Sequence, residues 1–325
     1  MGIDLGIASQ HSVRVLEADG RVVCRASCVP TAGSLTLVER AALAGAPQGT
    51  RLAVVFEPTG PAWMPIAVFF ARRGHDVYRV SSAKAADLRR FLRRHAKSNG
   101  IDAETLARIP LADPRGLQRL ELSGPDAAAL DRRVRACERL TRAASEHKVR
   151  IKDLVRQLMP MTPLTGDLGK ADLAVLECHA DPRALLAAGM AGLTRLIAST
   201  SNNQQGQDRA RQWRAAAAAA VDLYGDHPAV PYDALAAEVA TEVRLLRAIQ
   251  AELAVHAAAR EQHYRRPDPG QLARSLPGFA EISAPVLVAV MGRPGRFRDA
   301  TRFKSYAGLA PRASETGETD PRAHR

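Results

Sequence analysis

Three carboxylates and one amide stand at positions that predict a site for a hard cation. Asp4 lies in a short apolar strand pattern, and Glu57 directly follows the apolar run 52–56. Asn99 and Asp102 stand where a loop leads into a helix, and their spacing of three places them on one helical face. Such oxygen ligands suit Mg²⁺ or Mn²⁺, whereas His or Cys would select softer metals. Two such ions about 4 Å apart activate a water or hydroxyl and stabilise the leaving oxygen of a phosphodiester.

Two of these acids also have a structural alternative. An Asp within an apolar strand is costly to bury without a partner, so the alternative for Asp4 is a capping or edge-strand position. Glu57 could accept hydrogen bonds from the Thr59 and Gly60 amides in the Pro-Thr-Gly turn that follows it.

The elements that would position these residues alternate along the first 124 residues. We predict strands at 2–8, 11–17 and 21–29, a helix at 34–44, a strand at 52–56, a helix at 61–73, a strand at 76–80 and a basic helix at 83–94. The dipeptide Asp19-Gly20 favours a hairpin between the second and third strands. The order β-β-β-α-β-α-β-α predicts an α/β RNase H-like catalytic domain over 1–124.

The sequence after residue 124 changes to long helical periodicity. One apolar seam with heptad spacing comprises Leu130, Val134, Cys137, Thr141, Ala144, Lys148, Ile151, Val155 and Leu158. A second comprises Leu235, Val239, Glu242, Leu246, Ile249, Leu253 and His256. The second seam offers the first a partner within the chain or in another protomer. We therefore predict a helical, coiled-coil-like region over 125–265 that supports a homo-oligomer, followed by a small α-helical domain over 266–325.

The charge balance favours a polyanionic partner. The 325 residues carry 46 Lys and Arg against 34 Asp and Glu, a formal charge of +12. A basic cluster comprises Arg89, Arg90, Arg93, Arg94 and Lys97, which we predict to contact nucleic-acid phosphates. The alternative is that abundant Arg and Ala reflect a GC-rich genome.

Other compositional signals narrow the class of protein. The four cysteines have neither CxxC spacing nor a histidine at zinc-finger spacing, which argues against a zinc site or a disulfide framework. The sequence contains neither a charged-then-apolar leader nor an apolar run of about 18 residues. We therefore expect a cytoplasmic protein without a membrane partner.

Three motifs in order resemble those of the DEDD-type insertion-sequence transposases of the IS110 family: GIDLG, FEPTG and KSNGIDAETLA. The resemblance implies a RuvC-like domain, Mg²⁺ or Mn²⁺ as cofactor, DNA as substrate, and a structured guide RNA, as in the family's bridge recombinases. By position, Asp4, Glu57 and Asp102 match three of the four family acids, while the remaining acid falls on Asn99. An amide supplies no charge, so cation affinity should fall unless Glu104 or a phosphate compensates.

The C-terminal segment extends this resemblance. Around Gly278, the sequence 276–287 resembles half of a helix-hairpin-helix, in which backbone amides approach a DNA phosphate. The family places a serine nucleophile shortly after a GL-x-P turn, directly before a glycine. Thr316 occupies that position, and Ser314 is the only serine in the stretch, which makes Ser314 the first choice for the nucleophile and Thr316 the second. The family would continue beyond Arg325, so we expect a domain that is cut short.

Three functions remain open on the sequence alone. The first is a transposase or recombinase that cleaves and transfers DNA strands. The second is a RuvC-like junction nuclease, which would need the acids but no C-terminal hydroxyl. The third is a catalytically inactive, nucleic-acid-binding remnant of a transposase. The fold alone does not separate them, because one scaffold serves several chemistries.

Overall fold

The computed structural model describes residues 1–92, 98–114 and 116–308. Within it the chain divides into two compact units, Met1–Leu122 and Ser123–Arg325. The three-part division into 1–124, 125–265 and 266–325 stays a prediction.

The first unit is built on a mixed five-stranded sheet. Its elements are β1 (Gly2–Asp4), β2 (His11–Leu16), β3 (Val22–Cys28), α1 (Ala32–Ala42), β4 (Ala53–Phe56), α2 (Trp63–Arg72), β5 (Asp76–Arg79), α3 (Ser82–Leu92) and α4 (Asn99–Ala112). The strand order is β3-β2-β1-β4-β5. The β1–β2 and β2–β3 pairs are antiparallel, and the β1–β4 and β4–β5 pairs are parallel. This mixed sheet with its helices fits the predicted RNase H-like domain.

Helices cover both faces of this sheet. On one face, Val54 and Phe56 of β4 belong to a core cluster with Phe70 of α2 and residues of α1. On the other face, Val55 packs with Ile109 of α4 and residues of α3. Because β4 is buried on both faces, its sequence is continuously apolar rather than alternating. This explains why the run 52–56 predicted a buried strand.

The first strand is shorter than the predicted 2–8. It ends at Asp4, and the chain turns before β2 begins at His11. The Gly6 backbone N–H donates a hydrogen bond to His11 Nδ1 at 3.2 Å, which holds the turn against the start of β2. The prediction was wrong because Leu5 and Ile7 continue the apolar alternation. Leu5 is buried, but Ile7 is 71% exposed and lies outside the core.

The second unit is helical where the structure describes it. Its helices are α5 (Pro125–Leu158), α6 (Lys170–His179), α7 (Pro182–Ala187), α8 (Gly189–Thr200), α9 (Gln207–Tyr224), α10 (Tyr232–Tyr264), α11 (Ser283–Met291) and α12 (Ala300–Tyr306), with short 3₁₀ turns at Leu272–Ser275 and Pro294–Arg296. Neither these nor the helices described in the first unit combine the length and apolarity needed to cross a bilayer.

The two longest helices, α5 and α10, lie antiparallel and in contact. Arg133 contacts His256, and further along α5 Arg150 contacts Glu242, nearer the start of α10. Glu242 is buried within the second predicted seam, where His147 and Arg150 compensate its charge. Ile151 and Val155 of the first seam share a core cluster with Leu246 of the second, so the seams face each other within one chain. Whether they also join two protomers stays a prediction.

Candidate active site

Two acids leave the sheet at the same edge. Asp4 is the last residue of β1, and Glu57 comes directly after β4. The strands are parallel neighbours in which Ile3 is paired with Phe56, so each acid is one residue beyond a register pair. Since β1 is the central strand, the edge-strand alternative for Asp4 does not apply.

A helix start supplies the remaining two predicted groups. The Ser98 side chain caps α4 by accepting a hydrogen bond from the Ile101 backbone N–H at 3.3 Å. The cap fixes the first turn, which carries Asn99 and Asp102 on one face. Helix α4 packs so closely on β1 that a Cβ atom at Gly2 would lie 2.1 Å from the Ala103 carbonyl oxygen.

All four predicted groups line a single open pocket of about 480 Å³. It lies between the ends of β1 and β4 and the helices α3 and α4. The residues that line it are Asp4, Leu5, Gly6, Ser9, Glu57, Thr59, Ser82, Ala85, Ala86, Arg89, Asn99, Asp102, Thr105 and Leu106. Three carboxylates and one amide from separate segments thus converge on one cavity.

Arg89 is the cationic side chain among the described residues of this lining. Its Nη1 donates to Asp102 Oδ1 at 2.9 Å, and the two side chains are only 30% and 21% exposed. Arg90, the next residue of α3, instead pairs with Asp87 on the exposed side of the same helix. Of these two arginines, Arg89 contributes to the pocket and Arg90 does not.

The donor atoms suit a hard divalent cation in kind, because they are carboxylate and amide oxygens. In the part of the chain that is described, no three acids or other ligating groups are close enough to hold an ion together. Asp102 forms an ion pair with Arg89. The lining therefore matches a hard cation in the chemistry of its donor atoms, while one of the three carboxylates, Asp102, is held by Arg89.

The structural alternative for Glu57 does not occur. Its carboxylate accepts no hydrogen bond from the Thr59 or Gly60 amides, both of which the structure describes. Thr59 lines the pocket beside Glu57, and the turn is closed by the Ala62 N–H, which donates to the Thr59 carbonyl oxygen. The turn thus leaves Glu57 available to the pocket.

Glu104 is not among the residues that line the pocket of Asp4, Glu57 and Asp102. Its carboxylate pairs with Arg108 at 2.9 Å and lines a different depression, with Ile101 and Thr105. Because Glu104 is two residues from Asp102, it projects from another face of α4. Whether a phosphate or Glu104 offsets the amide at position 99 stays a prediction.

Several predicted nucleic-acid contacts and both nucleophile candidates lie outside the described residues. These are Arg93, Arg94, Lys97, Ser314 and Thr316. Gly278 is described: it occupies an exposed turn before α11 with a φ of 83°, a conformation that favours glycine. The Ser283 hydroxyl closes this turn by accepting from the Ala280 N–H. The element before it is a short 3₁₀ turn, so the helix-hairpin-helix prediction remains a proposal.

Sequence reasoning missed the hydroxyl groups that line the pocket and the residue that holds the lining loop between β1 and β2 in place. Ser9, Ser82 and Thr105 add hydroxyls to the lining, and His11 holds the loop through Gly6. Ser9, Ser82 and His11 lie outside the three family motifs, and Thr105 lies within the third motif without having been singled out. Only the tertiary arrangement of β2, α3 and α4 brings them to the site.

A mixed sheet with helices on both faces and acids at the ends of its parallel strands fits the RNase H-like domain of a transposase. A family model for DEDD-type IS110 transposases, described as "Transposase", matches residues 1–160, and one described as "Transposase IS116/IS110/IS902 family" matches residues 270–325. The chain is 24% identical over 339 residues to the insertion element IS116 uncharacterized 44.8 kDa protein of Streptomyces clavuligerus, covering 100% of this chain and 79% of that protein. The chain belongs to the IS110 family of transposases.

Proposed function

We propose that the chain catalyses DNA strand cleavage and transfer for an insertion sequence, with its chemistry in the pocket of Asp4, Glu57 and Asp102. The observation that carries the proposal is the convergence of these acids, with Asn99, from three separate parts of the chain on one cavity. Acids that only stabilised local turns or helix caps would not be expected to line the same cavity.

Asp4, Glu57 and Asp102 would hold Mg²⁺ or Mn²⁺, with Asn99 offering a neutral oxygen. When bound, such a cation stabilises the negative charge that develops on phosphodiester oxygens. The residues of the chain itself orient the substrate: Arg89 supplies a guanidinium for a phosphate, and the hydroxyls of Ser9 and Thr105 line the same cavity.

Ser314, or alternatively Thr316, would form a transient covalent link to DNA. In that step the hydroxyl oxygen bonds to phosphorus as the bond from phosphorus to one deoxyribose oxygen breaks. The hydroxyl proton passes to the departing deoxyribose oxygen, so the charge is balanced. The hydroxyl would be needed for strand transfer. A junction nuclease would not require it.

The remaining partners follow from charge and family. A formal charge of +12 favours nucleic acid, and the basic cluster with Arg89 and Arg90 and the turn at Gly278 would contact phosphates. A structured guide RNA and a homo-oligomer through α5 and α10 belong to the same proposal. Their support is the family resemblance and the length of the two helices.

A metal-dependent strand-cleavage assay tests the proposal. DNA carrying the ends of the element is incubated with the full chain, its guide RNA and Mg²⁺ or Mn²⁺. Asp4→Asn should lower cleavage by about 100-fold or more while DNA binding persists, because it removes one cation ligand. Asp19→Asn is the matched control, since Asp19 lies in an exposed hairpin of the same unit.

Each outcome identifies a function. Full cleavage by Asp4→Asn would refute the assignment of the pocket. Cleavage that survives Ser314→Ala and Thr316→Val would favour the junction nuclease. Strong salt-dependent DNA binding by the wild type, without any metal-dependent turnover, would identify a non-catalytic binding protein.

A further inference from the structure

Arg89 lies where it could control access to the acids. It is carried by the face of α3 that lines the pocket through Ser82, Ala85 and Ala86. These three side chains are small and recur at helical spacing, so the long Arg89 side chain can extend along them towards α4. Its guanidinium meets Asp102 on the first turn of α4.

The ion pair between Arg89 and Asp102 is partly shielded from water. The Arg89 and Asp102 side chains are 30% and 21% exposed. In a surface pair such as Arg90 with Asp87, both side chains are more than 60% exposed. A shielded pair is screened less by water and salt, so it competes more effectively with other ligands for the carboxylate.

A divalent cation and a guanidinium cannot both stand close to Asp102 without repelling each other. The cation that the proposed function requires would therefore have to displace Arg89, or bind more weakly in its presence. This is consistent with the spacing of the acids in the described part of the chain, where no three of them already form a site.

We propose that Arg89 is a built-in counter-ion that holds Asp102 until a divalent cation replaces it, after which its guanidinium binds a DNA phosphate. This inference rests on the proposed function. Arg89 is a positioning residue in this scheme: it acts on Asp102 first and on the substrate backbone second. Cation binding and DNA binding are then coupled, because each favours the state in which Arg89 has left Asp102.

Mn²⁺ binding to the full chain tests the first half of this scheme without any turnover. Free Mn²⁺ is measured by electron paramagnetic resonance during titration, with melting temperatures as a check on folding. Arg89→Gln should bind Mn²⁺ about tenfold more tightly or better than the wild type, because a positive charge has been removed beside the acids. Arg89→Lys, which keeps the charge, should stay within about threefold of the wild type.

The matched control is Lys84→Gln. Lys84 lies on the same helix and also pairs with a carboxylate, Asp113, at 2.8 Å, but it does not line the pocket. Its loss should change Mn²⁺ affinity by less than about twofold, since its charge is already paired outside the pocket.

Two further measurements complete the test. In an Asp102→Asn background, Arg89→Gln should tighten Mn²⁺ binding much less than it does in the wild type, because the carboxylate that Arg89 holds is gone. If Arg89→Gln tightens Mn²⁺ binding equally in both backgrounds, the inference is overturned. In the wild type Mn²⁺ should strengthen DNA binding, and this gain should shrink in Arg89→Gln.

The outcomes separate the two levels of the proposal. If the wild type binds no Mn²⁺ even at millimolar concentration and with DNA present, the proposed function fails. If the wild type binds Mn²⁺ but Arg89→Gln binds it equally well or more weakly, the counter-ion role fails while the proposed function stands. The same holds if Arg89→Lys raises Mn²⁺ affinity as much as Arg89→Gln does.

Discussion

Asp4 and Glu57 each follow one member of a register pair, Ile3 and Phe56, in neighbouring parallel strands. The two carboxylates are therefore fixed at the same edge of the sheet by backbone hydrogen bonding rather than by flexible loops. Sites built on strands and helices hold their geometry more precisely than sites built on loops. This relationship makes the pocket sensitive to changes in the packing beneath it.

An acid at position 99 should strengthen cation binding. Asn99→Asp adds a fourth carboxylate to the pocket, and affinity for hard cations rises with the number of charged ligands. The helix should tolerate the change, because an acid near a helix N-terminus is stabilising by about 0.3–1 kcal/mol. We expect Mn²⁺ affinity to rise about tenfold in calorimetric titration. Asn203→Asp, in an exposed loop of the second unit, is the control; equal affinity in the wild type and Asn99→Asp would contradict the prediction.

Gly2→Ala should push α4 away from β1, the two elements that carry Asp102 and Asp4. An added Cβ would lie 2.1 Å from the Ala103 carbonyl oxygen and 2.4 Å from the Ala107 nitrogen, both backbone atoms that cannot rotate away. Helix α4, which carries Asp102, would have to move from β1, which carries Asp4. We expect a loss of at least about 2 kcal/mol in unfolding free energy, measured by urea denaturation, together with weaker Mn²⁺ binding.

Gly33→Ala provides the matched control for that substitution. Gly33 lies within α1, and a Cβ there would meet no atom within 4 Å. Alanine favours the helical backbone more than glycine, so this variant should gain about 0.5–1 kcal/mol. Equal effects of the two substitutions would show that α4 does not rely on the close approach at Gly2.

Much of the site could be predicted because it follows from simple rules. The apolar run before Glu57 and the strand pattern around Asp4 are local signals, and the ends of adjacent parallel strands meet at one edge of a sheet. The spacing of Asn99 and Asp102 is likewise a property of any helix. These rules select the candidate side chains from the sequence, but they do not give the distances between them.

The other features depend on how helices rotate against the sheet, which spacing alone does not determine. Arg89 and Arg90 are adjacent and chemically identical, yet only Arg89 lines the pocket. The end of β1 at Asp4 was missed because the hydrogen bond from Gly6 to His11 is a tertiary feature. The spacing of two residues between Asp102 and Glu104, by contrast, already indicates that these two side chains project from different faces of α4.

Asp172→Ala should destabilise the second unit strongly. Asp172 is 4% exposed and accepts two hydrogen bonds from Arg209 at 2.9 Å and one from the buried Trp213 Nε1 at 3.0 Å. Removing the carboxylate leaves both donors without their partner, which costs about 3–5 kcal/mol for a buried ion pair. Asp153→Ala, which breaks an exposed pair with Arg156, should cost less than about 1 kcal/mol. Similar midpoints for both variants in thermal unfolding would contradict this assignment.

His11 should make the stability of the first unit depend on pH in the mildly acidic range. Burial lowers the pKa of His11 below its ordinary value of 6.5, and its Nδ1 accepts the Gly6 N–H, so the folded state holds the ring neutral. As the pH falls below 6.5, the unfolded chain takes up a proton that the folded chain does not. Stability that is fully present above 6.5 is therefore lost as the pH falls towards the lower folded-state pKa.

His11→Asn should remove this dependence while retaining an acceptor near Nδ1 for the Gly6 N–H. Urea denaturation from about pH 7.5 to pH 5 should show a shallower decline for the variant than for the wild type, because asparagine does not titrate. His227→Asn is the control: His227 is exposed and accepts a comparable bond from the Ala229 N–H at 3.1 Å, so its replacement should leave the slope close to that of the wild type. Parallel declines for the wild type and His11→Asn would contradict the prediction, because they would mean that folding does not change the pKa of His11.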